Sequence, residues 1–184
     1  MTNHRTKKLS VLTMMIALDV LLTPIFRIEG MAFMSSVVNI IAGVLMGPLY
    51  AIIMAFATAV IRIFTQGGVA SVAPLAILGA CPGALLAGIC YRMYPKDWMA
   101  WLGEFIGTGI IGSVISAPVM VWYWTQTANG NSELLMKASA AQSLLLFTPR
   151  FVGATLIGGI IAILLLKGLK RLSLFQTIQA MFKN

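Results

Sequence analysis

The chain has 184 residues, of which 59% are hydrophobic and 10% are charged, and its formal net charge is +8. An average soluble domain is about 25% charged, so this composition excludes an ordinary soluble protein and indicates an integral membrane protein. A strongly basic chain can also bind nucleic acid, but these basic residues flank apolar runs and form no solvated patch, which argues against that class.

The apolar runs predict an all-α integral membrane protein, a compact bundle of six transmembrane helices in one domain that covers residues 1–184. A hydrocarbon core about 30 Å thick requires about 20 apolar residues per helix, or somewhat fewer with local thinning. In chain order, the predicted helices are Leu9–Phe26, Phe33–Met46, Leu49–Phe64, Val72–Tyr91, Trp98–Trp124 and Ala138–Leu166.

The second and third helices are joined by the dipeptide Gly47-Pro48. This dipeptide is a turn signal, and proline is tolerated at the first position of the helix that follows. The pair is therefore predicted to form a tight hairpin. Gly43 lies one helical turn before Gly47, and this spacing favours close approach by another helix.

The basic residues predict the orientation of the bundle. Six crossings place both termini on one side, and this side also receives the turn around Arg92 and Lys96. The opposite loops hold only Arg27 and Lys137. By the positive-inside rule, both termini are expected in the cytoplasm, with Trp98 and Trp101 at the inner interface and residues 122–124 at the outer one.

This topology brings polar side chains together in the outer half of the membrane. Arg150 is expected about one turn below the outer boundary, with Arg62 at a similar depth and Asn39 a little deeper. A pocket open to the outside is the natural inference. Its predicted substrate-binding residues are Asn39, Arg62, Trp122, Tyr123, Gln126, Asn129, Gln142 and Arg150.

Each of these residues also has a purely structural interpretation. Arg62 and Arg150 could extend to outer headgroups, and the Trp122–Trp124 run could be an interfacial belt. Asp19 either pairs with Arg62 or sits protonated in a helix interface. Glu104 is expected to be an interfacial or helix-start charge rather than a proton relay.

The sequence argues against catalytic and metal chemistry. His4 is the only histidine and lies in the basic N-terminal tail, so histidine-based metal or acid–base sites are not expected. The chain contains no nucleophile elbow, no zinc-protease motif and no phosphate-binding Walker A motif. We therefore predict a protein that is not an enzyme, with no catalytic residues, no metal and no cofactor of its own.

Several motifs resemble a known family. The hairpin run VNIIAGVLMGPLYAIIMAFATAVIRIF, the segment GALLAGICYR and the run LGEFIGTGIIGSVISAP occur in order between about Leu9 and Pro118. They resemble the thiamine-precursor, ThiW-like group of substrate-binding subunits of energy-coupling factor (ECF) transporters. The resemblance implies a small six-helix subunit that captures a vitamin or its precursor in an outer-half pocket.

The resemblance also implies partners. Such a subunit docks on a transmembrane coupling subunit that is driven by two ATPases, so that the partners use the ATP. A stripe of small residues on the first helix forms the docking face, and here the matching residues are Thr13 and Ala17, with Ser10 extending the same small surface. Asp19 is a departure from the family pattern. The implied substrate is hydroxyethylthiazole, with hydroxymethylpyrimidine or another vitamin such as pyridoxine as alternatives.

Two other functions compete with this interpretation. An autonomous secondary transporter could use Asp19 or Glu104 as a proton carrier, although no inverted repeat is visible. A channel would require a polar stripe along a pore, and the helices are too uniformly apolar to supply one. Co-purification with ATPase subunits would distinguish a capture subunit from an autonomous transporter.

Overall fold

A computed structural model describes residues 4–26, 31–65, 73–141, 143 and 146–183. These residues form a helical bundle. The helices are α1 (His4–Ile25), α2 (Phe33–Met46), α3 (Pro48–Thr65), α4 (Ala73–Met93), α5 (Asp97–Thr127), α6 (Ser132–Ala140), α7 (Thr148–Leu169) and α8 (Ser173–Lys183).

Five helices of the described chain are long and apolar enough to cross a membrane, namely α1, α3, α4, α5 and α7. The sixth, α2, is a shorter apolar helix that is buried along most of its length. Large apolar side chains, such as Leu21, Phe64 and Ile160, are exposed on the outside of the bundle. A surface of this kind is stable in lipid and costly in water. The all-α membrane bundle predicted from the sequence is therefore confirmed.

The predicted hairpin is confirmed at Gly47-Pro48. The helix α2 ends at Met46 and α3 begins at Pro48, and Gly47 between them has φ +80°, a conformation that glycine adopts without steric cost. Gly43 lies directly against α4, since a Cβ atom at this position would be 2.8 Å from the backbone nitrogen of Gly88. The small residues thus let α2 and the hairpin turn pack closely on α4.

The fifth helix contains a π-helical segment at Phe105–Gly112. This segment lies within the glycine-rich run that carries the family resemblance, and its residues Gly107 and Gly112 contact α4. A Cβ atom at Gly107 would lie 2.4 Å from the carbonyl oxygen of Pro82, a separation that a side chain does not tolerate. Insertions of this kind often occur at functional sites, and here the segment directly follows Glu104.

The predicted start of the sixth helix is wrong. The structure has a separate short helix, α6, which ends at Ala140, and the long helix α7 begins only at Thr148. Pro149 lies in the first turn of α7. A backbone N–H at this position would have no hydrogen-bond partner within the helix, so proline is tolerated there. Proline also disfavours helical conformation in the residue before it, so a helix that continued through this position would be strained.

The last helix, α8, packs across one end of the bundle. The amide of Gln179 donates to the carbonyl oxygen of Val44 at 2.9 Å, and Phe182 meets Tyr50 edge to face. Lys170, just after α7, pairs with Asp97 at the start of α5. This is the end of the bundle that carries the basic turn at Arg92 and Lys96.

Candidate functional site

A cavity of about 410 Å³ lies at the opposite end of the bundle. It is enclosed by the first turns of α2, α4 and α7, the last turn of α3, the middle and end of α5, and the end of α6. Its volume is at the small end of the range for ligand pockets. Its lining includes the polar residues Ser35, Ser36, Asn39, Arg62, Glu104, Thr108, Lys137 and Arg150.

The deepest polar contacts of the cavity join α2, α4 and α5. Asn39 and Glu104 are both almost fully buried. The Asn39 amide donates to Glu104 Oε1 at 3.2 Å and to the Ala80 carbonyl oxygen at 3.4 Å. The Thr108 hydroxyl donates to the Gly79 carbonyl oxygen at 2.7 Å and lies 3.0 Å from Glu104 Oε1. These contacts hold the Glu104 carboxyl group in one orientation; we call Asn39 and Glu104 the cavity floor.

Gly83 of α4 has no side chain and so makes room for the Glu104 carboxyl group. A Cβ atom at Gly83 would lie 2.4 Å from Glu104 Oε2 and 2.0 Å from the Thr108 hydroxyl. A residue larger than glycine would therefore displace both groups. The floor depends on Gly83 as much as on the polar residues themselves.

Two oxygen atoms of the floor have no hydrogen-bond partner in the described structure. They are Asn39 Oδ1 and Glu104 Oε2. A buried polar atom without a partner costs about 1–3 kcal/mol, and such atoms in a native protein call for an explanation. Because both residues line the cavity, a bound molecule that offers hydrogen-bond donors would supply the missing partners.

A second buried carboxyl group lies beside the cavity. Asp19 is fully buried, and it accepts hydrogen bonds from Thr23 at 2.6 Å and from Ser35 at 3.4 Å. Arg62 lies near enough for its charge to attract that of Asp19. Asp19 thus ties α1 to α2 through Ser35. The sequence left open whether Asp19 pairs with Arg62, and that pairing stays a prediction.

Two cations lie at the rim of the cavity. Arg150, in the first turn of α7, is exposed, and no described acidic side chain forms an ion pair with it. Lys137 donates to Glu133 at 2.6 Å within α6. The hydrogen bond and the charge of Lys137 lower the pKa of Glu133 below its ordinary value of 4.5. Arg150 is therefore the rim cation that remains available to a ligand.

Aromatic side chains form one wall of the cavity. Trp124, Phe147 and Phe151 line it, and the rings of Trp124 and Phe147 have their centroids 6.4 Å apart. The first two are buried, together with Met120 and Ala138 beside them. This wall closes the space between α5, α6 and α7, and it offers a flat apolar surface to an aromatic ligand.

The other residues predicted from the sequence have different positions. Trp122 is 62% exposed, Gln126 and Asn129 are also exposed, and Tyr123 packs beside Trp124. None of these four residues lines the cavity as the structure describes it. Gln142 lies outside the described residues. Asn39, Arg62 and Arg150 do come together in the cavity, and their role in binding stays a prediction.

The interpretation of Glu104 as an interfacial charge is wrong. Its side chain is fully buried and hydrogen-bonded to Asn39. Trp101, expected at the inner interface, packs between α5 and α7 and donates its indole N–H to the Thr155 carbonyl oxygen at 3.1 Å. The sequence does show Thr108 one helical turn from Glu104, but the contact of both residues with Gly83 of α4 is visible only in the structure.

The predicted docking residues lie on the outer face of α1. Ser10, Thr13 and Ala17 are exposed. The hydroxyl groups of Ser10 and Thr13 donate to the carbonyl oxygens of Thr6 and Leu9, each at 3.0 Å. Because these hydroxyls are satisfied within the helix, the face is smooth and has little polar character.

The arrangement suits reversible binding of a small molecule. The described chain holds no group of three or more histidine, cysteine or acidic residues that could bind a metal ion. The cavity offers hydrogen-bond acceptors at its floor, a cation at its rim and an aromatic wall between them. These features can fix the orientation of a small heterocycle.

Comparison with known proteins identifies the family. No curated protein sequence and no solved structure matches the chain significantly. A family model described as thiamine-precursor transporter protein (ThiW) matches residues 9–172. This match extends well beyond Pro118, where the resemblance seen in the sequence motifs ends, and it includes all of the cavity residues named above. The chain is a multi-pass membrane protein that belongs to the ThiW family of thiamine-precursor transporter proteins.

Proposed function

We propose that this thiamine-precursor transporter protein is the substrate-capture subunit of an ECF-type importer and that hydroxyethylthiazole is its substrate. The observation that carries the proposal is the cavity of about 410 Å³ between an aromatic wall and a polar floor. Capture in this cavity requires no catalytic group. The plasma membrane, with both termini in the cytoplasm, is the expected location.

The chemistry of the cavity favours hydroxyethylthiazole among the candidate precursors. This molecule has one aromatic ring and one hydroxyl group, which match the aromatic wall and one of the two unpartnered floor oxygens. Hydroxymethylpyrimidine adds an exocyclic amine, and pyridoxine carries three hydroxyl groups. Each additional polar group loses its water on binding and requires its own partner in the cavity.

The proposed partners are a transmembrane coupling subunit and two ATPase subunits. Uphill transport needs an energy source, and the sequence contains no Walker A motif of its own. The exposed face at Ser10, Thr13 and Ala17 suits close packing against a transmembrane helix, because helix association in lipid depends on close backbone approach. The cavity lies towards the other end of α1, so docking and capture use separate surfaces.

Identification of the natural ligand tests the proposed substrate. The protein is purified in mild detergent from cells grown with thiamine precursors, and small molecules released by denaturation are identified by mass spectrometry. We expect hydroxyethylthiazole at close to one molecule per protein. Recovery of hydroxymethylpyrimidine, of pyridoxine or of a metabolite unrelated to thiamine would overturn the proposed substrate.

A second candidate function is autonomous proton-coupled transport. It is favoured by one observation, the burial of two carboxyl groups, Asp19 and Glu104, within the bundle. Buried intramembrane carboxyl groups occur in proton relays. Proteoliposomes that contain only this protein separate the two functions: uptake driven by an imposed pH gradient supports the second, whereas uptake only in the presence of the ATPase subunits supports the first.

A further inference from the structure

The polarity of the cavity floor points to the part of the substrate that binds there. We propose that Glu104 Oε2 and Asn39 Oδ1 form an acceptor subsite, which selects precursors that insert a hydroxyl or amino donor into the deepest part of the cavity. This inference rests on the proposed capture of a thiamine precursor and assigns the residues that determine its specificity.

The hydrogen bonds of Asn39 fix which of its atoms faces the cavity. The Ala80 carbonyl oxygen can only accept, so the Asn39 atom 3.4 Å from it must be the amide nitrogen. That nitrogen also donates to Glu104 Oε1 at 3.2 Å, which uses both of its hydrogens. The side-chain oxygen of Asn39 is therefore left over as an acceptor.

The same contacts fix the orientation of Glu104. Oε1 receives the Asn39 amide and faces the Thr108 hydroxyl, and the Ser36 side chain also lies near the carboxyl group, whereas Oε2 makes no hydrogen bond within the described structure. Asn39 is 1% exposed and Glu104 is 0% exposed, so bulk water does not satisfy the two free oxygens. A donor group on the ligand satisfies at least one of them.

The subsite also determines which end of the substrate enters first. Asn39 lies six residues beyond Phe33, or about 9 Å along α2 from its start at 1.5 Å per residue. Arg150 is in the first turn of α7, at the rim. A ligand with a donor at one end and an acceptor at the other therefore binds with the donor inward. For hydroxyethylthiazole the hydroxyl group points to the floor, and the ring lies beside the aromatic wall.

Sites that hydrogen-bond a substrate hydroxyl reject analogues without it, because buried polar groups of the site are then left unpaired. Hydroxyethylthiazole and its O-methyl ether are suitable probes, since the ether keeps the oxygen acceptor and loses the donor. We expect wild-type protein to bind the hydroxyl form at least about tenfold more tightly than the ether. Titration calorimetry of the purified, full-length protein measures both affinities.

Compared at a pH at which the Glu104 carboxyl group is ionised, the variant Glu104→Gln reverses the polarity of the subsite at nearly constant volume. The Asn39 amide continues to donate to the inner oxygen, so the new side-chain NH₂ group takes the place of Oε2 and becomes a donor. Glu104→Gln should therefore bind the ether better than wild-type protein does, and the preference for the hydroxyl form should fall to within about threefold. Asp97→Asn, a matched carboxyl-to-amide change at the far end of the bundle, should keep the wild-type ratio.

The outcomes separate this inference from the function on which it rests. If wild-type protein binds hydroxyethylthiazole but accepts the ether equally well, the acceptor subsite is wrong, whether or not the variant folds. An unchanged ratio in folded Glu104→Gln also overturns it. If wild-type protein binds neither probe, the proposed capture of hydroxyethylthiazole fails, and the assignment of the subsite fails with it.

Discussion

Arg150 is the cation at the cavity rim that has no acidic partner in the described chain. A hydrogen bond to a charged group typically contributes about 1.5–3 kcal/mol, or roughly 10- to 150-fold in affinity. We predict that Arg150→Met weakens binding of hydroxyethylthiazole by about this factor while the protein still inserts into the membrane. Because Arg150 is exposed, the lower part of the range is expected. Calorimetric titration measures the loss.

Arg171→Met provides the matched control. Arg171 is also exposed, but it lies between α7 and α8, at the end of the bundle opposite the cavity. Its replacement should leave the affinity unchanged. Equal affinities of wild-type protein and Arg150→Met would instead indicate that Arg150 only extends to lipid headgroups.

Among single residues, the sequence predicted that polar side chains from α2, α3 and α7 come together, as they do in the cavity, but it misjudged Glu104 on α5. Asn39, Arg62 and Arg150 could be placed because helix direction and length determine membrane depth. Glu104 was misplaced because depth alone does not tell which face of a helix a side chain occupies. The burial of Glu104 depends on Gly83 of another helix, and a contact of this kind is not visible in the local sequence.

At the scale of single elements, α1 offers the clearest test of the proposed docking. Ala17 is exposed on the outer face of α1, and a bulky side chain there would separate two closely packed helices and remove many dispersion contacts. We predict that Ala17→Trp abolishes uptake in cells that contain the ATPases, together with co-purification of the coupling subunit. Binding by the isolated protein should stay within about twofold of the wild-type affinity, because Ala17 does not line the cavity.

The matched control for this prediction is Ile160→Trp. Ile160 is 63% exposed on α7, so the control also adds a large aromatic side chain to the outside of the bundle. Uptake by Ile160→Trp should be close to that of the wild type. If Ala17→Trp transports as well as Ile160→Trp does, α1 is not the docking face.

The ion pair between Lys170 and Asp97, where α5, α7 and α8 meet, should make the stability of the protein depend on pH. Lys170 pairs with Asp97, and its ammonium group lies 4.9 Å from the ring centroid of Tyr91. Burial by itself would lower the pKa of Lys170, but the hydrogen bonds to Asp97 and Tyr91 outweigh it and raise the pKa above the ordinary value of 10.5. A group whose pKa is higher in the folded state stabilises the fold below its unfolded pKa and loses this effect as the pH rises through its folded pKa.

Lys170→Met should therefore lower the thermal midpoint at pH 8 by about 1–4 °C, since a partly exposed ion pair contributes less than about 1 kcal/mol. The difference from wild-type protein should narrow as the pH rises beyond 10.5. Thermal unfolding of both proteins in detergent across this range is the measurement. A difference that stays constant at all pH values would show that only packing is lost.

The helices themselves were predictable to different degrees. The hairpin of α2 and α3 could be located because Gly47 and Pro48 each have a local backbone effect. The break before α7 was missed because residues 138–147 are mostly apolar. The prediction gave this composition more weight than the helix-start signal at Pro149. Gly103 and Gly107 pack on α4 beside and within the π-helical segment of α5, and spacing along one helix does not reveal this segment.

At the scale of the whole molecule, the distribution of basic residues predicts the orientation. Single cysteines at His4, near the N-terminus, and at Ser139, on α6, can be probed with a membrane-impermeant maleimide in intact cells. Both positions are exposed, and Cys81 and Cys90 would first be replaced by alanine. We predict labelling of Ser139→Cys and none of His4→Cys until the membrane is permeabilised. The reverse pattern would invert the topology and place the cavity on the cytoplasmic side.

The central claim is that a thiamine precursor binds in the cavity between α2, α4, α5 and α7, and a variant that fills this cavity tests it most directly. Ala76 of α4 lines the cavity, so Ala76→Phe would place a ring in the space of the ligand, whereas Ala180→Phe adds the same ring at an exposed position on α8. Titration of the purified proteins with hydroxyethylthiazole should give saturable binding of one molecule by wild-type protein and Ala180→Phe, and a loss of at least about 100-fold in Ala76→Phe. Wild-type affinity in folded Ala76→Phe would contradict the account.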